Sequence, residues 1–164
     1  MSKDIIRDLW AGNFVNWVEL GAQGTARGVF IMWDNRVLSK VDEGIGVFST
    51  SCVFKNIDDG FQWIFIGVYG PNDDNLRVSC WLELKDFYAK WALPWCVAGD
   101  FNVVRFPNEK KGGDHLSLAM RLFLDFVESN ELIGPPIIGG WFTWSSNRDI
   151  PSLSRLDRFL FSPL

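Results

Sequence analysis

The chain has 164 residues, 48% hydrophobic and 22% charged, an ordinary balance for one globular domain with a sizeable core. Its formal charge of −4 provides no basic footprint and counts against a strongly cationic nucleic-acid binder, though local basic patches remain compatible with it. The three cysteines, Cys52, Cys80 and Cys96, lack CxxC spacing, which argues against a disulfide framework or a zinc site.

Fourteen Phe and nine Trp mean that much apolar area seeks burial. The cysteines fit best as small apolar residues in a reducing compartment. No apolar run reaches the roughly 18 residues of a membrane span. The opening MSKDIIRDLW is too charged for a signal peptide, so an intracellular product is expected.

In chain order, Ile5, Ile6, Leu9 and Trp10 share one face of a short predicted helix over 4–11, stopped by Gly12 and Asn13. FVNWVELG, from residue 14, alternates loosely and reads as a strand. GVFIMWD, residues 28–34, is a continuous apolar run and reads as a buried strand. RVLSKVD is expected to pair with it across an Asp34-Asn35 turn.

IGVFSTSCVFK (45–55) and FQWIFIGVY (61–69) are rich in β-branched and aromatic residues, and NIDDG between them has hairpin chemistry. From Asn75 to Trp91 the period changes. Leu76, Cys80, Trp81, Leu84, Phe87, Tyr88 and Trp91 recur at three- and four-residue steps, which predicts an amphipathic helix ended near Pro94. WCVAG follows as a short buried strand.

Beyond the loop PNEKKGGDH, Ser117 is placed to cap a second helix with Leu118, Leu122, Phe123, Phe126 and Val127 on its apolar face. IGPPIIGG is a loop by its Pro and Gly content. WFTW and SRLDRFLFS read as two final strands joined by SSNRDIPSL. An early antiparallel hairpin followed by alternation of helix and strand predicts a layered α/β domain with mixed sheets.

Three strands run into polar residues. VYGPND carries Tyr69 and Asn72, CVAGDFN carries Asp100 and Asn102, and SRLDRF carries Asp157. Strand ends of layered α/β domains are where rigid elements aim side chains into one crevice. Asp100 and Asn102 stand two residues apart, so an extended segment puts them on one face. A carboxylate and an amide together can orient a water, a hard cation or a phosphate oxygen. Singly, each residue also has a plain structural reading. Asp100 could open a turn after Gly99, Tyr69 could be an aromatic body with a surface hydroxyl, and Asp157 could pair with an arginine.

Taken in order, GVYGPN, AGDFN, FTWS and SRLDRFLFS resemble the endonuclease/exonuclease/phosphatase superfamily. Within it they are most similar to the endonuclease domain of plant non-LTR (LINE-type) retrotransposons, a group that GVFIMWDNRV and NEKKGG also resemble. The resemblance runs from about Asp4 to Leu164. It implies a DNase I-like fold, a two-sheet mixed α/β sandwich flanked by helices in four layers. It also implies Mg²⁺-dependent hydrolysis of a phosphodiester, with DNA as the partner to be nicked. On that resemblance Asp100 activates the attacking water and Asn102 orients it and the phosphate. Tyr69 and Asn72 contact the scissile phosphate, Thr143 lies near the DNA-facing surface, and Asp157 orients a catalytic histidine.

The family pattern further contains a metal-binding glutamate and a Ser-Asp-His segment, and neither is found in these 164 residues. The expectation is therefore one partial domain over residues 1–164, incomplete at both termini, with Asp100 left as a poorly fixed ligand for Mg²⁺ and little or no activity. The lone histidine, His115, reads as a solvated loop residue. The alternatives are a non-enzymatic retroelement remnant, or another superfamily member acting on a phospholipid or phosphoinositide. No membrane and no protein partner is expected, and a nuclear location follows only for a working retroelement endonuclease.

Overall fold

The computed structural model describes residues 14–20, 28–146 and 148–164; the helix predicted over 4–11 lies outside the described residues. Strands β1 (Val15–Leu20) and β2 (Val29–Asp34) form an antiparallel ribbon. β2 alternates in burial: Val29, Ile31 and Trp33 are buried, while Phe30 and Met32 are partly buried. The unbroken apolar run is thus a strand with no exposed residue, more deeply covered on the face of Val29, Ile31 and Trp33.

The main sheet has the order β3-β4-β5-β6-β9, built from Leu38–Ile45, Ser49–Asn56, Gln62–Tyr69, Trp95–Asp100 and Asp157–Phe161. The β4–β5 hairpin is antiparallel, β5 and β6 run parallel, and β9 returns antiparallel beside β6. RVLSKVD does not pair with β2 as the Asp34 turn suggested. It forms β3 against β4, in register from Leu38↔Asn56 to Ile45↔Thr50. β1 already pairs with β2, and the Asp34 carboxylate, bonded to the Arg36 N–H and guanidinium, closes a turn that leads the chain away. β3 is an edge strand with outward Ser39, Lys40, Asp42 and Glu43, the usual protection of an exposed edge. β7 (Trp144–Ser145) and β8 (Leu153–Ser154) make a two-residue ribbon, shorter than WFTW suggested.

Helix α1 (Asp74–Trp91) makes the crossover from β5 to β6. The Asp73 carboxylate accepts from the Asn75 N–H at its start, and Ala92 closes it in the left-handed region at φ 48. Helix α2 (Leu118–Ser129) begins at Ser117, whose hydroxyl accepts from the Met120 N–H at 3.2 Å. Its buried face is Met120, Phe123, Phe126 and Val127. Leu118, predicted inward, is the first residue of the helix and is 71% exposed.

Trp81 of α1 anchors the core between helices and sheet. Its ring lies 5.1 Å from Phe126, 5.3 Å from Phe123 and 6.2 Å from Phe101. Ile64, Ile66, Val97 and Leu160 press against this cluster from the sheet. On the opposite sheet face Cys52 and Phe54 meet Val18, Ile31 and Trp33 of the ribbon. All three cysteines are free thiols, and burial pushes Cys52 and Cys80 up to about 12 and Cys96 up to about 11, which makes them poor nucleophiles. Among the described residues no helix is long and apolar enough to cross a membrane.

Candidate functional site

The register of three strands puts three polar side chains in one row. Tyr69 on β5 pairs with Asp100 on β6, and Asp100 pairs with Asp157 on β9. Residues directly opposite across a ladder share a face, so all three project from the ribbon side of the sheet. The pattern beneath them explains why: Ile64, Ile66 and Val68 on β5 and Trp95 and Val97 on β6 are buried toward the helices, which leaves the alternate positions for the other face.

Backbone geometry holds the row rigid. Gly99 sits at φ 138, and a Cβ there would lie 2.1 Å from the Val68 carbonyl oxygen, so glycine is needed for β5 and β6 to meet just before Asp100. The Gly70 N–H donates to the Asp100 carbonyl at 2.7 Å, and the Phe101 N–H donates to the Leu156 carbonyl at 3.0 Å. These bonds tie the ends of all three strands together.

Asn102 follows in the left-handed region at φ 51. Its N–H donates to Asp100 Oδ1 at 2.8 Å, and its side-chain Nδ2 donates to the Gly70 carbonyl at 2.6 Å. One amide hydrogen of Asn102 remains to donate to a water or a phosphate oxygen, and its amide carbonyl remains to accept from a water. Thr143 Oγ1 accepts from the N–H groups of Leu156 and Asp157, both at 3.0 Å. Thr143 thus fixes the start of β9 and the height of Asp157.

Tyr69, Asp157 and Thr143 line a cleft of about 730 Å³, walled by Phe65, Phe159 and Ile137. Asp100 and Asn102 are not among the residues lining this cleft, which takes Ala98 and Gly99 from the same strand; Asp100 is tied to it by register with Tyr69 and Asp157, and Asn102 by its bond to Asp100. Asn72 is exposed just after β5, and its carbonyl accepts from Arg77 Nη2 at 3.4 Å.

Arg77 was not legible as a site residue. It is 7% exposed on a helix face predicted to be apolar. Its Nη1 donates to the Asn102 carbonyl at 2.7 Å and its Nε to Asp74 at 2.7 Å, so one guanidinium braces both polar loops. Asp74 three residues ahead was the available signal, but a helical i,i+3 pair is usually a surface feature.

A second hidden pair is Glu109 and Arg158. Arg158 Nη1 donates to Glu109 Oε1 at 2.9 Å, and its other terminal nitrogen donates to Oε2. Burial alone would raise the Glu109 carboxyl. The Arg158 guanidinium, with N–H groups of Arg105 and Phe106, outweighs burial and holds it below the usual carboxylate range. His115 stands outside the site; it is exposed, with Nδ1 2.6 Å from Asp114 Oδ1.

Among the described residues no three His, Cys, Asp or Glu side chains gather as a metal centre. Asp100 and Asp157 oppose each other as two carboxylates, fewer than the near-octahedral oxygen set that holds Mg²⁺ firmly.

A mixed sheet with helices on one face, a strand ribbon on the other and polar residues at the strand ends defines an α/β sandwich of the DNase I-like class. The chain belongs to the endonuclease/exonuclease/phosphatase family, whose profile matches residues 3–164. Members of this family generally depend on a divalent metal. The chain is similar to a family member from Bacteroides thetaiotaomicron, at 16% identity and a TM-score of 0.69, covering 98% of this chain and 64% of that one. It is also similar to the mannosyl-6-phosphatase of the same organism, at 17% identity and 0.64, covering 98% and 66%. The endonuclease domain of TRAS1, a telomere-specific non-LTR retrotransposon, matches at 14% identity and 0.71, covering 93% and 68%. At such identities the likeness is one of fold, and it is the fold class expected from the sequence. This chain spans 64% of the length of the first of these structures. No curated protein sequence matches the chain significantly.

Proposed function

We propose that the chain is a DNA endonuclease domain of the kind found in plant non-LTR retrotransposons, and that these 164 residues alone position a phosphodiester but scarcely hydrolyse it. The carrying observation is the row Tyr69–Asp100–Asp157, with Asn102 locked beside it. The ordered motifs GVYGPN, AGDFN, FTWS and SRLDRFLFS support the retroelement assignment.

In this reading Asp100 accepts a proton from the attacking water. The Asn102 N–H on Oδ1 holds its carboxylate at a fixed angle. The remaining Asn102 amide hydrogen and the Tyr69 hydroxyl donate to the phosphate oxygens. Their gain lies in preorganisation, since strand and turn hydrogen bonds already set their positions. A divalent metal, when bound, would offset charge on the phosphate.

Two features limit the rate. The described residues supply no third metal-ligating group. The single histidine of the chain, His115, is an exposed loop residue bonded to Asp114. General acid–base help from a placed side chain is typically worth about 10²–10⁴ in rate.

The test is nicking of supercoiled plasmid in Mg²⁺ or Mn²⁺ by the chain and its Asp100→Ala variant, with folding checked by circular dichroism. Equal backgrounds are expected. Nicking well above the Asp100→Ala control would overturn the low activity, and failure of the folded chain to retain duplex DNA in a gel-shift assay would overturn the DNA reading.

A further inference from the structure

Beside the cleft lies a second cavity of about 710 Å³, between the turn after β6, the 134–141 loop and β9. Three arginines line it, Arg105, Arg155 and Arg158, against one carboxylate, Glu109. Two positive charges are left uncompensated in a chain whose net charge is −4.

The arginines are also short of acceptors. Four buried side-chain polar atoms lack a hydrogen-bond partner among the described residues, and three are Nε of Arg105, Arg155 and Arg158. Arg158 spends its terminal nitrogens on Glu109 and the Arg155 carbonyl, and Arg155 donates to the Pro135 carbonyl at 3.2 Å. Arg105 lies over the Phe106 ring at 5.0 Å, and its guanidinium makes no hydrogen bond among the described residues. Buried donors without acceptors are rare in folded proteins because each carries a desolvation cost. Here they cluster around one opening.

Trp141 lines the cavity yet is 82% exposed, an unusual position for a large indole with nothing packed on it. A guanidinium fork matches a phosphate, a flat indole matches a base, and the volume is in the range of small-ligand sites.

We propose that this cavity binds one nucleotide unit, with its phosphate on Arg105 and Arg155 and its base against Trp141. Arg155, Arg158 and Phe159 line both this cavity and the cleft holding Asp157, so a strand crossing the cleft can place a flanking nucleotide here. The inference deepens the endonuclease reading and rests on it for the strand, though not for binding of a single nucleotide.

The test is calorimetric titration of the full chain with adenosine monophosphate, inorganic phosphate and adenosine, and of a labelled single-stranded oligonucleotide by anisotropy. Arg105→Gln and Trp141→Ala are the variants, since neither side chain has a hydrogen-bond partner in the fold to lose. The nucleotide should bind more tightly than phosphate or nucleoside, and each variant should weaken it by about tenfold at unchanged melting temperature, the size of one lost charge-assisted or stacking contact. Nucleotide binding that depends on Arg105, without oligonucleotide binding, would uphold the cavity and defeat the endonuclease reading. Oligonucleotide binding indifferent to both variants would defeat the cavity and leave that reading standing. Phosphate binding as tight as the nucleotide would also overturn the proposal.

Discussion

The two faces of the five-stranded sheet are unequally dressed. The helix face is closed: Trp81, Phe101, Phe123 and Phe126 stack there with Ile64, Ile66, Val97 and Leu160, all of them at most 5% exposed. Among the described residues the other face is covered by the ribbon toward β4 and β5, through Val18, Ile31 and Trp33. Toward β6 and β9 it opens, and Phe159 is 59% and Phe161 40% exposed. The candidate site sits on this open half. A closed aromatic face supplies the stability that lets the other face keep polar groups and a cleft.

That contrast can be broken most directly at its centre. Trp81→Ala should destabilise the chain by about 3–5 kcal/mol, the usual cost of deleting a buried aromatic. Phe159→Ala on the open face should cost less than about 1 kcal/mol. Denaturant unfolding of both variants measures the gap, and similar costs would show that the ribbon face is packed as tightly as the helix face.

Arg158 crosses to the helix side, where its guanidinium lies 5.6 Å from the Phe123 ring centre and pairs with Glu109. Arg158→Leu removes the main partner of the Glu109 carboxylate and leaves it the Arg105 and Phe106 N–H groups and Arg155 Nη1 at 3.8 Å, at a cost of up to about 3 kcal/mol. The native Glu109 carboxyl is held below its unfolded value. The pair's contribution is therefore complete above the ordinary carboxylate range and declines as pH falls through it. Stability curves should show that acid limb in the parent chain and a flatter one in the variant; parallel limbs would remove Glu109 from the account.

At the border between the faces, Gly99→Ala forces a Cβ toward the Val68 carbonyl at a positive φ. About 1–3 kcal/mol of strain is expected, released by parting the ends of β5 and β6. Amide exchange should quicken at Gly70 and Asn102 first, whereas uniform quickening would mean that the strand ends are not a local unit. Thr143→Val is the mildest change. It removes the oxygen accepting from Leu156 and Asp157, should cost about 0.5–1.5 kcal/mol, and should shift the Asp157 amide resonance while sparing the aromatic core.

The legible parts of the fold were those with local causes. The β4–β5 hairpin shows in its apolar strands and NIDDG turn, α1 in its three- and four-residue steps, and α2 in the Ser117 cap. The partner of RVLSKVD was misread because an Asp34 turn advertises a hairpin, while pairing depends on which apolar edge is still open. Leu118 was misplaced because helical spacing alone does not say which end positions of an apolar face are packed. The motif residues Tyr69, Asp100, Asn102, Thr143 and Asp157 could be named from the chain, yet their spacing of 31 residues from Tyr69 to Asp100 and 57 from Asp100 to Asp157 gives no register. Arg77, Glu109 and Arg158 escaped notice because charged residues in a linear sequence look like solvated surface, and burial alone turns them into braces.

The sequence by itself determined the class of the chain, most of its strands and helices, and the identity of the polar residues at the strand ends, since propensity, turn chemistry and alternation act over a few residues. Tertiary structure decided which side chains meet. β6 inserts between β5 and β9, and only that order sets Tyr69, Asp100 and Asp157 in one row and gathers three arginines around one carboxylate. Strand order follows from burying the aromatic face under α1 and α2, a free energy summed over the whole sheet and carried by no single stretch of sequence.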